Sequence, residues 1–445
     1  MTRKQAIFIL LGLGILCRIA SWFAYTWSVS IFNDTETYTL LAQKIIDGAL
    51  IGYNGERTPM YPLIIVLSGL NLHLVVLIQC IFGLLSSYFV FDSTSRITSN
   101  LKVGLAAGVV FTSFLNIIFF EFSILSETLS LFLFTCVVWL YIRFEFYKGI
   151  FSLKGSIYLS LSLAALFLTR PFFLYFSLVI SGTVFLRYIL TRWKFSVLHA
   201  TVILLPTMLC FLSWSSLNYK NTGAFVVTSY YGINLSQATM PFFEKAPDEH
   251  RLIRDIYVAH RDTMLANEED AAMAIWRALP ELEEKTGKDL PQLSAELASI
   301  SRNLIKEHPI DYLKLSARSW VLFWRSSFYM VPENFRNSNW RTAFDNFWSL
   351  QRKGVVLAHI CLLCGFLLLI YKVFKQKAHF FDPLFLIAIS VVLASVAQAL
   401  VTYGNNSRFA VPFFGAVLVF AFVFIFRMYT FFRQKRKTIK KGSGS

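Results

Sequence analysis

Charge is the scarcest commodity in this chain, with 15% of its 445 residues charged, and acids are the rarer sign, 26 Asp and Glu against 42 Lys and Arg. With 56% hydrophobic residues and a mean hydropathy of +0.56, that poverty excludes a soluble globular protein. The net charge of +16 does not indicate nucleic acid. The basic residues sit in short loops between apolar runs and in the tail Arg433-Gln434-Lys435-Arg436-Lys437, and no basic helix is interleaved with base-stacking aromatics. Cysteine is sparse too. Cys17, Cys80, Cys136, Cys210, Cys361 and Cys364 all lie inside apolar runs, so no disulfide framework is expected. Cys361-Leu-Leu-Cys364 has redox or metal spacing, but inside a hydrophobic helix it reads as two small packing residues. A Gly-rich phosphate loop and a dinucleotide fingerprint are both missing. Histidines 73, 199, 250, 260, 308, 359 and 379 are scattered, and a required metal or other cofactor is not expected.

What is abundant is long apolar sequence. Runs suited to crossing ~30 Å of hydrocarbon fall at 5–27, 72–91, 102–120, 124–142, 156–169, 171–187, 197–217, 354–374, 382–402 and 409–428. An all-α polytopic membrane protein of about ten spans is expected, or eleven to twelve if the shorter stretches 59–70 and 315–331 also cross rather than lie at the interface. The first run follows Arg3 and Lys4 without a small-residue cleavage site, so it reads as a retained helix. With ten spans, Arg3/Lys4, Arg96/Lys102, Arg143/Lys148/Lys154, Arg187/Arg192/Lys194, Lys372/Lys375/Lys377 and the tail share one side. The positive-inside rule then puts both termini in the cytoplasm. Residues 1–217 form an N-terminal transmembrane core carrying a first outer loop at 28–58. A small, mostly helical outer domain follows at 218–353, with short extended pieces expected at 224–232, then membrane helices at 354–432 and a basic tail at 433–445. The terminal Gly-Ser-Gly-Ser reads as an appended linker and is set aside.

The outer face gathers the candidate chemistry. The first outer loop holds Asn33-Asp34-Thr35-Glu36-Thr37-Tyr38 and ends in Arg57-Thr58-Pro59-Met60-Tyr61-Pro62; Glu121, Glu127, Arg170 and Arg408 emerge at helix ends on the same side, and Arg18 lies in the outer part of the first helix. An ionisable group in a spanning segment costs roughly 2.5–3.5 kcal/mol on insertion scales, so such residues usually have a reason to be there. Carboxylates suit proton abstraction from a hydroxyl, and arginines grip phosphate bidentately.

These residues also bring a resemblance. The order Arg18, Asp34, Tyr38, Ala42, Gly48, Pro59-Met-Tyr61-Pro62 resembles the first loop of the GT-C superfamily of membrane glycosyltransferases. It is most similar to the bacterial branch of protein O-mannosyltransferases and the aminoarabinose transferases that decorate lipid A. Ser126-Glu127, Thr169-Arg170-Pro171, Trp214-Ser-Ser-Leu-Asn218-Tyr219, Gly232-Ile-Asn234-Leu235, Asn303 with His308-Pro309, and Ser407-Arg408-Phe409 with Pro412 continue the series in order. One departure is that Asp34 and Glu36 are separated by Thr35 where the family often has adjacent acids.

The resemblance implies a GT-C fold and an inverting transferase that takes a sugar from a polyprenyl-phosphate donor at the periplasmic face of a bacterial inner membrane. Asp34 is then the general base, with Glu127 and Glu36 as further catalytic candidates. Arg57, Tyr61, Arg170 and Arg408 are candidates for the donor phosphate. The acceptor, a glycan, lipid or protein, stays open. Two other readings stand beside it: an O-antigen ligase or polymerase using a lipid pyrophosphate donor, and a lipid or solute transporter.

Overall fold

The computed structural model describes residues 1–442 apart from 151, 190–191, 377–379 and 405; Lys377, His379, Asn405 and the 443–445 end therefore lie outside the described residues. The apolar runs fold as helices, some of which start on a side-chain cap. Helix α1 (Arg3–Ala24) opens on a Thr2/Gln5 capping box. Beyond it lie α2 (Asn33–Ile46) and α3 (Met60–Leu67), then α4 (Leu72–Thr98) and α5 (Leu101–Thr112), which start on the side chains of Asn71 and Asn100. Helices α6 (Leu115–Glu121), α7 (Glu127–Arg143), α8 (Leu153–Thr169), α9 (Leu174–Tyr188) and α10 (Trp193–Thr222) follow. Gly223, at φ 73°, ends α10 in the left-handed conformation that suits glycine.

The 218–353 segment contains α11 (Tyr231–Gln237), α12 (Arg251–Ala266), α13 (Ala274–Thr286), α14 (Leu290–Glu307) and α15 (Pro309–Phe323). The chain returns through α16 (Ser338–Lys375), α17 (Pro383–Val401), the one-turn α18 (Asn406–Phe409) and α19 (Phe414–Gly442). Two large apolar cores and two small ones result among the described residues. Large side chains such as Phe111, Phe119, Phe134, Leu163 and Phe420 fill the membrane bundle, whereas Ile233, Phe243, Tyr257, Ile275 and Leu293 fill a separate core in the 218–353 segment.

By length and composition six of the described helices can cross a membrane, or seven if α5 and α6, bent by 55° at their junction, count as one span. The expected spans over α7, α8 and α9 are helices of 17, 17 and 15 residues. The apolar stretch at 59–70 supplies only the eight residues of α3, about 12 Å of rise, too little to cross. Helix α16 is 38 residues long and runs unbroken through position 354, where the sequence placed the start of the C-terminal membrane region.

The extended pieces expected at 224–232 do not form. Among the described residues the strand-like pairing is one isolated bridge, Ser30 to Ser123. Residues 224–230 find no partner strand and are held to the first outer loop by single contacts. The Ser229 amide donates to the Gly55 carbonyl at 2.8 Å, Thr228 Oγ1 donates to the Glu56 carbonyl at 2.8 Å, and Asn218 Nδ2 reaches the carbonyls of Val226 and Val227. The 218–353 segment is also fastened to the C-terminal helices, through Tyr312 OH to the Leu400 carbonyl (2.6 Å) and Thr402 Oγ1 to Gln237 Oε1 (2.8 Å). Both tethers bring the ends of distant helices to one end of the bundle.

Candidate functional site

Helix α2 has an apolar face at Thr35, Tyr38, Leu41 and Ala42, helical spacing that seats it flat on the bundle. Its entry is fixed by Thr35, whose hydroxyl donates to the Ile124 carbonyl (3.1 Å) and accepts from the Phe32 amide (3.0 Å). Asp34 is thereby held in the first turn, where the helix dipole favours a carboxylate. Arg57 Nη2 donates to its Oδ1 and Arg408 Nη2 to its Oδ2, both at 2.7 Å.

From Asp34 the charges alternate across the bundle. Arg408 uses Nε to reach Glu127 Oε1, at the first residue of α7, and the same oxygen accepts Arg170 Nη2 at 2.6 Å. Arg170 also donates through Nε to Ser126 Oγ (3.0 Å), and Tyr38 OH donates to that hydroxyl at 3.0 Å. Arg57 is braced by its Nε bond to Thr37 Oγ1 (2.8 Å) and lies over the rings of Tyr38 and Tyr230 at 4.6 and 5.1 Å. Arg408 faces the Tyr329 ring at 6.0 Å. Three guanidiniums thus enclose two carboxylates, leaving one surplus positive charge where the ends of α2, α7 and α8 meet the start of the last span.

Burial by itself would push the Asp34 carboxyl up, but the guanidiniums of Arg57 and Arg408 outweigh it and hold the group far below the usual carboxylate range. Burial would likewise lower Arg57, yet the facing Tyr38 and Asp34 keep it firmly protonated. The Glu127 side chain is fully buried, and its second oxygen, Oε2, has no hydrogen-bond partner. An acceptor atom buried without a donor is costly, and a hydroxyl brought by a substrate would satisfy it.

Of the sequence candidates, Asp34, Arg57, Glu127, Arg170 and Arg408 meet in this one chain of ion pairs. Glu36 does not join them. Two residues on from Asp34, its side chain is exposed on another face of α2. Tyr61 is fully buried; its hydroxyl donates to Gln79 Oε1 (3.2 Å) and its ring packs edge-on against Tyr38 at 4.8 Å, so it supports the site from beneath. Glu121 pairs with Arg18 at 2.5 Å as a separate buried couple. Thr37, Tyr230 and Tyr329 escaped the sequence reading. Thr37 stands in the Asp34 run, but nothing in the spacing of Tyr230 or Tyr329 signals their place. Among the described residues no group of three or more His, Cys, Asp or Glu could hold a metal ion.

The bundle that carries this cluster shares its fold with solved membrane oligosaccharyltransferases. No family model matches the chain, and no curated protein matches it in sequence. Solved structures do match in fold. One is the crystal structure of the Archaeoglobus fulgidus oligosaccharyltransferase in the apo form, with a TM-score of 0.50 and 12% identity over 98% of this chain and 52% of that one. Another is the archaeal oligosaccharyltransferase AglB from Archaeoglobus fulgidus in complex with an inhibitory peptide and a dolichol-phosphate, with a TM-score of 0.51 and 12% identity over 98% of this chain and 51% of that one. The chain spans about half the length of each. At this identity the likeness speaks for the fold.

Proposed function

We propose that the protein is an inverting glycosyltransferase that moves a sugar from a polyprenyl-phosphate donor to a hydroxyl acceptor at the outer face of a bacterial inner membrane. The observation that carries this reading is the Asp34 carboxylate held between Arg57 and Arg408 at 2.7 Å each, in a GT-C fold. One of the fold neighbours holds a dolichol-phosphate, which accords with a lipid-phosphate donor here.

In the resting site Asp34 is a poor base, because two arginines stabilise its ionised form. A donor phosphate changes that. It competes for Arg57 and Arg408 as a bidentate partner, and each guanidinium it takes makes Asp34 more basic. Donor binding therefore activates the base. The acceptor oxygen attacks the anomeric carbon opposite the phosphate, its proton passes to Asp34, and the bond from the anomeric carbon to the phosphate oxygen breaks with the electron pair leaving on the phosphate. The arginines stabilise the charge that develops there. Arg170 holds Glu127, whose unpartnered Oε2 accepts a hydrogen bond from the acceptor or the transferred sugar.

The test is transfer in proteoliposomes from labelled polyprenyl-monophosphate sugars to cell-envelope extracts. Transfer from the monophosphate donors is expected. Transfer confined to pyrophosphate-linked oligosaccharides would contradict the donor assignment, and flux across sealed vesicles without covalent transfer would contradict the enzymatic reading.

A further inference from the structure

At the opposite end of the bundle from Asp34 lies a cavity of about 360 Å³. Helix α7 measures the separation: Glu127 begins it in the outer cluster and Arg143 ends it beside this cavity, 17 residues in all, about 24 Å at helical rise. The cavity is walled by Arg3 at the start of α1, Ser95 and Arg96 near the end of α4, Leu101 at the start of α5, and Glu145 and Lys148 just past α7.

Its electrostatics are lopsided. Arg3 and Arg96 both bond the fully buried Asp92, Arg96 doing so through Nε at 2.8 Å, which leaves the two terminal nitrogens of its fork. Trp139 Nε1 gives Asp92 a third donor at 2.8 Å, so this carboxylate is well supplied within the protein. Lys148 pairs with Glu145 at 2.7 Å across exposed surface. Three cations therefore stand against two carboxylates, and the N-terminus of the 12-residue α5 adds its partial positive charge.

Two further features set the cavity apart. Ser95, only 6% exposed, lines it, and its hydroxyl has no hydrogen-bond partner. Ser99 and Glu145, neither of them glycine, stand in its wall with left-handed backbone, at φ 52° and 55°. Both follow helix ends, Ser99 as the cap of α4 and Glu145 one residue past the cap of α7, so these turns shape the wall of the cavity.

From the cavity, its cation surplus and the unsatisfied hydroxyl, we infer that this pocket binds an anionic phosphate group at the membrane face opposite the catalytic cluster. Arg96 supplies the forked donor, and Arg3 and Lys148 supply the field. Two sources carry the same chemistry, the headgroup of an anionic phospholipid and free phosphate.

Native mass spectrometry of the full chain in detergent separates them, with phosphatidylglycerol, phosphatidylcholine and inorganic phosphate as probes. One retained phosphatidylglycerol, preferred over phosphatidylcholine, identifies the lipid; retained inorganic phosphate without lipid preference identifies the free ion. In either case Arg96→Gln and Lys148→Gln should each weaken binding about fivefold, the worth of one basic residue near an anionic surface. Arg96→Gln disturbs buried Asp92, so Lys148→Gln, on exposed surface, is the variant that keeps the wild-type fold. Equal retention of the two lipids with no phosphate binding, or Lys148→Gln binding like wild type, would overturn the proposal.

Discussion

Arg408→Gln removes the side chain that joins the two carboxylates of the cluster, Asp34 and Glu127. In the folded protein Arg408 donates to Asp34 Oδ2 at 2.7 Å and to Glu127 Oε1, and 14% of its side chain is exposed. Glu127, with no exposed side-chain surface, would keep only Arg170. Truncating one partner of a buried charge pair costs about 3–5 kcal/mol. The remaining Arg170 bond and the 30% exposure of the Asp34 side chain reduce that, to about 2–3 kcal/mol. The thermal midpoint should fall by several degrees. The functional loss should be larger in kind. A charge-assisted hydrogen bond to the donor phosphate is worth about 1.5–3 kcal/mol, so kcat/KM for the donor should fall about 10- to 150-fold in a folded variant. Arg408→Lys separates charge from geometry. It keeps the cation, but a single ammonium cannot reach Asp34 and Glu127 in the planar fork of a guanidinium, so most of the activity loss should persist. The assay is initial-rate transfer in proteoliposomes with donor varied, on protein whose fold is confirmed by its thermal transition. Wild-type kcat and donor KM in folded Arg408→Gln would refute the phosphate role of this arginine.

Three further outcomes follow from the same geometry. The Asp34 carboxyl is depressed by Arg57 and Arg408, so its contribution to stability is fully present above the ordinary carboxylate range and is lost only as pH falls through its lower folded value. The pH profile of kcat/KM, which reports the free enzyme, should accordingly show no Asp34 limb in mildly acid solution, whereas Arg57→Gln should move a limb upward into view. Tyr61→Phe deletes one buried hydrogen bond to Gln79; it should cost about 1 kcal/mol of stability and leave donor KM within about twofold, while a large KM rise would put Tyr61 on the phosphate. Gly83→Ala places a methyl carbon 1.8 Å from Glu121 Oε1 and 2.5 Å from Arg18 Nη2. It should separate that buried pair and lower the thermal midpoint by more than Tyr61→Phe, and an unchanged midpoint would show that the pair shifts freely.

Hydropathy made the helices legible because a bilayer demands long apolar runs, and few other structures supply them. It could not locate the bend between α5 and α6, since a break at Ser113 and Phe114 scarcely alters mean hydropathy. The Thr/Val/Tyr-rich stretch after α10 has β-prone composition, yet composition supplies no partner strand, and the chain there hangs on isolated bonds to Gly55 and Glu56. The site was legible in part. Topology put Asp34, Glu127, Arg170 and Arg408 on one side, but 374 residues separate Asp34 from Arg408, and no local pattern shows that they share a bond. Glu36 and Tyr61 illustrate the same limit at short range. Each lies in a run beside true members of the cluster, but helical rotation turns Glu36 to solvent, and Tyr61 lies under Tyr38. Arg57 was identifiable as a phosphate candidate, whereas its cage of Tyr38 and Tyr230 depends on how the outer domain folds back onto the first loop.

The most direct measurement is the single-turnover rate of Asp34→Asn with a labelled polyprenyl-phosphate sugar and saturating acceptor. Asparagine keeps the size of the side chain and one acceptor oxygen for the arginines but cannot take up the proton. Loss of a general base should slow transfer about 10²- to 10⁴-fold, while donor binding, measured separately, persists. A folded Asp34→Asn protein that transfers sugar at nearly the wild-type rate would contradict the account.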